Sequence, residues 1–331
     1  MAFSSIAKNL NEKIVLHFIR NDSTFTKQEI AKQSELSFPT VSKIIDEFVA
    51  KEIVLSLGIQ KNSQGGRKAA LYCLNKDFSH ALILFLQEQN IYYRIVNALG
   101  KTIQYGKKEY PNALSLAQIF ESISPILQQD NLIHAISIGI PGSVSNGNIY
   151  YIDGYDSLKD CDLQKELSEH FSIPVIVSNN MNAVAIGMAD RLSCNEETLA
   201  CIHLAQTGPG CSAVVNGKAV NGFCGFNGEV GFIPFYGDKT LQDIALSGFE
   251  GIPLGEYLGK IVISLTTILN PRNLILYIER EETGWETTME QYCRKYLPER
   301  VLPKFIYSNT YQEDYFYGLT LLGIELLYEK I

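Results

Sequence analysis

The sequence predicts an α/β protein built as a small helical head and a larger two-lobed α/β body. Three observations carry that prediction. Residues 1–75 hold three short helical patterns and then two strand patterns; beyond Ser79 the apolar spacing becomes that of β-strands; and a hairpin followed by strand and helix patterns occurs twice in succession. The chain divides at 1–75, 76–190 and 191–331, the last two ranges being lobes with a cleft between them. With 331 residues, 46% hydrophobic and 19% charged, it is long and apolar enough to bury one large core or to split into two or three domains.

In the head, Ile14, Val15, Phe18 and Ile19 share one helical face, and Asn21, Asp22 and Ser23 end that helix with turn chemistry. The second helix starts at Thr26, with Glu29 at the spacing of a capping box. After a break at Glu35 to Ser37, Pro39 suits the first turn of a third helix whose inner face is Val41, Ile44, Ile45 and Phe48. Short helices joined by a tight turn form the helix-turn-helix pattern. The start of the third helix presents Thr40, Ser42 and Lys43 outward, where such side chains reach base edges or phosphates. Two strands then flank a polar, glycine-bearing tip in the manner of a wing, with Lys61, Arg67 and Lys68 placed to meet a phosphate backbone.

The body opens with HALILFLQEQNIYYRIVNALGKTIQYGKKEY, read as three antiparallel strands turning near Gln87 to Asn90 and at Ala98 to Gly100. A helix at Leu114 to Leu127, a strand at His134 to Gly139 and a loop at Ile140 to Gly142 follow. The helix Leu163 to Phe171, the strand Val175 to Ser178 and a further helix complete the first lobe. The second lobe begins with a hairpin turning across Thr207 to Gly210 and includes the late strand NLILYI, Asn273 to Ile278.

Composition excludes several classes. The apolar runs are far shorter than the ~20 residues a membrane helix needs, and the N-terminus lacks the features of a secretory signal, so a cytoplasmic protein that avoids membranes is expected. Seven cysteines with no CxxC imply buried hydrophobes rather than a disulfide framework. The net charge of −8 is uneven: residues 1–75 carry ten basic and seven acidic residues, and the remainder eighteen and twenty-nine. A basic head on an acidic body fits a nucleic-acid-facing segment.

Five stretches in order give the body a specific likeness: GIPGSV (Gly139 to Val144), SNNMNAVAIG (Ser178 to Gly187), QTGPG (Gln206 to Gly210), NGEVGF (Asn227 to Phe232) and NPRNLIL (Asn270 to Leu276). With them the chain resembles the ROK family of sugar kinases and transcriptional regulators, and its head resembles that of the regulator branch. The resemblance implies an actin-like ATPase (ribonuclease H-like) two-lobed body behind an amino-terminal winged helix-turn-helix. Its implied partners are operator DNA, a sugar or sugar derivative, and a second copy of the chain.

The motifs depart from the family's kinases at three places. The kinases carry an Asn-Asp pair at the turn into the helix, Asp being the base; here Asn179 keeps the amide, Asn180 replaces the base, and Asn182 follows. An amide does not take a hydroxyl proton. The first hairpin, Leu84 to Asn90, lacks the glycines that let backbone approach a phosphate, and Glu88 repels one. The family's metal-binding GExGH motif and cysteine cluster become Gly228 to Phe232 with no cysteine following, so neither a metal nor a cofactor is expected. The resemblance leaves no catalytic residue and a set of candidate hydroxyl readers: Gly142, Ser143, Asn179, Asn180, Glu229 and Asp243. The expectation is a sugar-sensing repressor of carbohydrate metabolism. Two alternatives stay open: an active sugar kinase with its base at Asp153 or Asp156, and a regulator whose pocket has decayed.

Overall fold

The computed structural model describes residues 2–59, 69–112, 114–194 and 196–329. The head begins with α1 (Ala2–Ile19), longer toward the N-terminus than its apolar pattern. Helix α2 (Lys27–Ser34) starts at the capping box: the Glu29 N–H donates to Thr26 Oγ1 at 3.2 Å and the Thr26 N–H donates to Glu29 Oε2 at 2.7 Å. Glu35 turns left-handed at φ 57° and Ser37 caps α3 (Phe38–Ala50). Val15, Ile19, Ile30, Val41, Ile45 and Phe48 close into one buried cluster. Strands β1 (Val54–Ile59) and β2 (Ala70–Leu74) pair antiparallel, and a bridge from Phe25 to Tyr72 ties them to the helices. Residues 60–68, and with them the candidate wing residues Lys61, Arg67 and Lys68, lie outside the described residues.

The first lobe is a five-stranded sheet. Strands β3 (His80–Gln87), β4 (Asn90–Asn97) and β5 (Thr102–Glu109) form the meander; α4 (Leu116–Gln129) leads to β6 (Ile133–Ile140). A short hairpin then follows where only a loop is predicted, β7 (Gly142–Ser145) and β8 (Asn148–Ile152). Helix α5 (Leu163–Phe171), strand β9 (Val175–Asn179) and helix α6 (Asn180–Arg191) complete the lobe. The order is β5-β4-β3-β6-β9, with β6 and β9 parallel to β3. Strand β3 is apolar at nearly every position because both faces are covered: Leu82, Leu84 and Leu86 join the cluster of α4 and α5, and Ala81, Ile83 and Phe85 join the opposite one.

The second lobe repeats this plan with β10 (Leu199–Ala205), β11 (Gly208–Val215), β12 (Lys218–Ala219), β13 (Pro234–Tyr236), β14 (Lys239–Thr240), α7 (Leu241–Leu246), α8 (Leu254–Leu269), β15 (Asn273–Ile278), α9 (Trp285–Tyr296) and β16 (Lys304–Tyr307). Its main sheet runs β12-β11-β10-β15-β16, the same antiparallel-then-parallel succession as the first. The β10–β11 turn is tighter than predicted. Ala205 pairs with Gly208, so only Gln206 and Thr207 turn the chain and Gly208 to Gly210 belong to β11.

Helix α10 (Tyr311–Tyr328) follows the second lobe but packs back on the first, where Phe316 and Leu319 meet the Ala81–Phe85 face of β3. It crosses α6 at backbone contact: a Cβ on Gly318 would lie 1.8 Å from the Ala183 carbonyl oxygen, and one on Gly187 would lie 2.9 Å from that of Asp314. Neither helix has room for a methyl group at the crossing. Gly318→Ala is therefore expected to force the helices apart and destabilise the protein by about 1–3 kcal/mol, read as a lower denaturant midpoint with an unchanged slope.

Candidate functional site

The candidate site forms around the start of α6, where β9 ends in three asparagines. Asn179 takes the N-cap conformation (φ −61°, ψ 144°), and its amide oxygen accepts the Asn182 N–H at 3.0 Å. Its amide nitrogen donates to the Gly142 carbonyl at 2.9 Å. Asn179 is thus a buried brace between α6 and β7, engaged through both ends of its amide, rather than a free hydroxyl reader. Asn182 is buried on the same turn: it donates to Asn221 Oδ1 at 2.7 Å and accepts from Ser212 Oγ at 2.5 Å. Asn180 donates to the Tyr311 hydroxyl at 3.1 Å. Each of the three asparagines ties the helix start to a different element.

Those ties assemble the walls. Gly142 has no space for a side chain, since a Cβ would lie 2.4 Å from the Tyr151 carbonyl of the paired strand β8. Next to it the fully buried Ser143 donates to Glu229 Oε1 at 3.3 Å, joining the first lobe's hairpin to the second lobe. The segment bearing Glu229 is wedged between the lobes. Gly225 presses on the Val144 carbonyl, and Gly228, at φ +91°, passes its carbonyl to the Cys211 N–H at 2.9 Å. Burial raises the Glu229 carboxyl above the usual glutamate range, opposed by the Ser143 hydrogen bond. Tyr151, Phe226 and Phe232 pack as an aromatic trio beside it, with ring centroids 5.1–6.1 Å apart.

Gly142, Ser143, Asn179 and Glu229 therefore form one connected group, with Asn180 adjoining but turned to α10. Asp243 has a different task. It is exposed and its carboxylate accepts the Thr240 N–H at 2.8 Å and hydroxyl at 2.9 Å, forming the capping box of α7. Asp153 and Asp156 are exposed, and Asp156 pairs with Lys159 at 2.5 Å.

The first hairpin turn of each lobe is held by a side chain from a later element. Gln312 at the start of α10 donates to Gln87 Oε1 at 3.1 Å, and Arg280 donates to Gln206 and, at 3.0 Å, to the Ala205 carbonyl. Between them Tyr311 stacks on His203 at 3.7 Å and 18°, while His203 Nε2 meets Glu279 at 2.9 Å. Tyr151, Phe226 and Tyr311 escaped the sequence reading, whereas Phe232 entered it as the last residue of NGEVGF. Motif matching weighs residues inside motifs, and only the fold brings Tyr151 to Phe226 and Tyr311 to Asn180.

On the head, Lys43 is exposed. The Thr40 and Ser37 hydroxyls lie 2.8 Å apart, and Ser42 accepts from Lys27 Nζ at 3.1 Å while donating to Asp46 at 3.3 Å. Of the three candidate DNA readers on α3, Thr40 and Ser42 thus hold partners within the head.

Comparison with known proteins matches residues 89–248 to the ROK family. The chain is 23% identical over 248 residues to the xylose repressor of Bacillus spizizenii, covering 72% of this chain and 64% of that one. It is 28% identical over 232 residues to the xylose repressor of Staphylococcus xylosus, covering 67% and 60%. Against the DNA-binding transcriptional dual regulator NagC of Escherichia coli it is 24% identical over 245 residues, covering 69% and 58%. The chain thus spans about three-fifths of the length of these relatives. Among solved structures, a ROK family transcriptional regulator described as a homologue of the E. coli MLC protein superposes with a TM-score of 0.71 at 18% identity, covering 96% of this chain and 99% of that one. The ROK hexokinase of Thermus thermophilus gives 0.61 at 18%, covering 76% and 99%. The fold is that of the ROK proteins, as the sequence resemblance implies.

The burial of Glu229 sets a pH signature. A carboxyl whose folded pKa is raised binds its proton more tightly in the folded state, so its charging costs stability as pH rises from the ordinary glutamate value of 4.5 through the raised one. Glu229→Gln removes that cost while keeping an acceptor for Ser143. The variant is expected to melt above the wild type at neutral pH and to converge with it below pH 4.5, measured by thermal unfolding across that range.

Proposed function

We propose that this chain, which carries a ROK family domain over residues 89–248, is a sugar-responsive transcriptional repressor of carbohydrate metabolism whose body has no kinase activity. The observation that carries the reading is Asn180. It occupies the position that the family resemblance assigns to the base, and it spends its amide N–H on Tyr311. A neutral amide cannot take the hydroxyl proton that phosphoryl transfer must remove. The side chains holding the two hairpin turns, and the absence of glycine from Leu84 to Asn90, support the same reading against a nucleotide phosphate.

What the site retains suits a polyol. The half-buried Glu229 and the buried Ser143 offer hydrogen-bonding groups that discriminate a hydroxyl from its absence, and the exposed faces of Phe226 and Phe232 suit the apolar face of a sugar ring. The head supplies the output: three helices and a hairpin in winged helix-turn-helix order, with Lys43 on the open side of α3. Its operator would be read by a homodimer, since paired heads match a two-fold site. Sugar that binds one lobe arrangement more tightly than the other shifts the balance between DNA-bound and released forms. Relief of repression by sugar is the sign this reading favours.

A thermal-shift series with D-xylose, N-acetyl-D-glucosamine and ATP with magnesium tests the reading. A sugar at a hundred times its dissociation constant is expected to add ~2.7 kcal/mol of stability, with ATP giving no shift and no turnover. ATP-dependent phosphorylation of either sugar would overturn it, and silence from a broad sugar panel would favour the decayed pocket. On DNA, Lys43→Ala is expected to weaken binding at all sequences and to lower the slope of log K against log salt by about 1.

A further inference from the structure

We propose that α10 transmits the state of the cleft to the head, with Tyr311 as the positioning residue at its receiving end; this rests on the reading of the chain as a ligand-responsive DNA binder. The two ends of this helix lie ~27 Å apart at 1.5 Å per residue over 18 residues, and they touch different machinery.

At the receiving end, the Tyr311 hydroxyl accepts the Asn180 amide, and Asn180 directly follows the residue that braces Gly142, beside the Ser143–Glu229 pair. The Tyr311 ring is held between His203, stacked at 3.7 Å, and Tyr277, edge-on at 5.6 Å. Burial holds the Tyr311 hydroxyl protonated, so it stays a neutral acceptor. Gln312 and Glu313 fasten the same turn to the first lobe through Gln87 and a bidentate pair with Arg94 at 2.6 and 2.9 Å. Asp314, 1% exposed, gathers Tyr277 at 2.8 Å, Thr310 at 2.9 Å and Arg191 at 2.7 Å. One helical turn thus takes bonds from both lobes.

At the delivering end, Glu325 pairs with Arg20 at 3.2 Å, and the Arg20 guanidinium lies 4.0 Å above the ring of Tyr328. Arg20 immediately follows α1, so this pair grips the head at the close of its first helix. Tyr328 also donates to the Ala98 carbonyl at 3.0 Å and packs against Phe78, which follows the wing hairpin. Between the two ends the backbone contact at Gly187 and Gly318 leaves α10 little freedom except to slide or turn along α6. A ligand that claims the Asn180 amide releases Tyr311, and the displaced first turn moves the Arg20 anchor. Linkage requires the converse: loosening the anchor must loosen Tyr311.

Hydrogen exchange by mass spectrometry on the full chain tests this. Tyr311→Phe keeps the ring stack and deletes only the bond from Asn180; Asn180→Ala breaks the same bond from the other side, and Tyr317→Phe, which deletes an α10 bond to Asp190, is the control. The first two variants are expected to speed exchange about tenfold at residues 16–20 and 322–328 while leaving β10 and β15 unchanged. Arg20→Ala is expected to speed exchange at residues 311–315. Acceleration confined to the first turn of α10, or an equal effect from Tyr317→Phe, overturns the proposal. With D-xylose or N-acetyl-D-glucosamine as probe, a sugar that stabilises the wild type should alter head exchange there and not in Tyr311→Phe; an equal head response in both proteins also overturns it. If neither sugar binds, the variant arms alone decide the coupling.

Discussion

The contact on which the rest of the body depends is the backbone crossing of α6 and α10 at Gly187 and Gly318. A glycine inside a helix costs about 1 kcal/mol against alanine, so the chain gives up helix stability at both positions and must recover it in packing. What it gains is proximity. Because the two helices meet without side chains between them, their starts converge on the cleft and Asn180 can reach Tyr311. A wider separation would leave the buried Asp314 carboxylate short of the Arg191 charge that compensates its burial, a loss far larger than a surface ion pair could repay.

The asparagine cluster at Asn179, Asn180 and Asn182 illustrates how little of a polar site need be available to a ligand. Two of the three are almost wholly occupied in holding β7, the Asn221 loop and their own helix, and each would be costly to leave unsatisfied at its burial. Neutral amides suit that role because each supplies a donor and an acceptor without a charge to bury. A carboxylate at position 180 would instead bring a negative charge beside the buried Tyr311 hydroxyl and the Glu279 side of the cleft. At position 180 the amide supplies a neutral tie from α6 to α10.

Much of the fold was legible because its signals are local. The Thr26 capping box, Pro39 in the first turn of α3, the uninterrupted apolar run of β3 and the NLILYI strand each state their conformation within a few residues, and the repeated succession of hairpin and crossover announces two lobes. The β7–β8 hairpin was hidden because Gly142 to Ile152 lacks clean alternation and is held by contacts to Gly225 and Asp162 from elsewhere. The site was legible in part. Ser143 and Glu229, chosen from separate motifs, meet in the fold, whereas the Thr240–Asp243 spacing that marks a capping box was not read as one, and the fold places Asp243 at the start of α7. The return of α10 to the first lobe, which gives Tyr311 its place, has no local signature at all.

That return also orders how the chain can mature. The Arg94–Glu313 pair closes a loop of 219 residues, and the Ala81–Phe85 face of β3 finds its cover only when the far helix arrives. Contacts of such separation form slowly, since the chain entropy must be surrendered before the contact repays it. During synthesis, therefore, the first lobe emerges with one apolar face of its sheet bare and waits, as a half-built layer open to chaperones, through the making of the entire second lobe. The head, which shares its core cluster with that same face, reaches its final footing at the end of the process, so the seating of the head and the covering of the first lobe are acquired together.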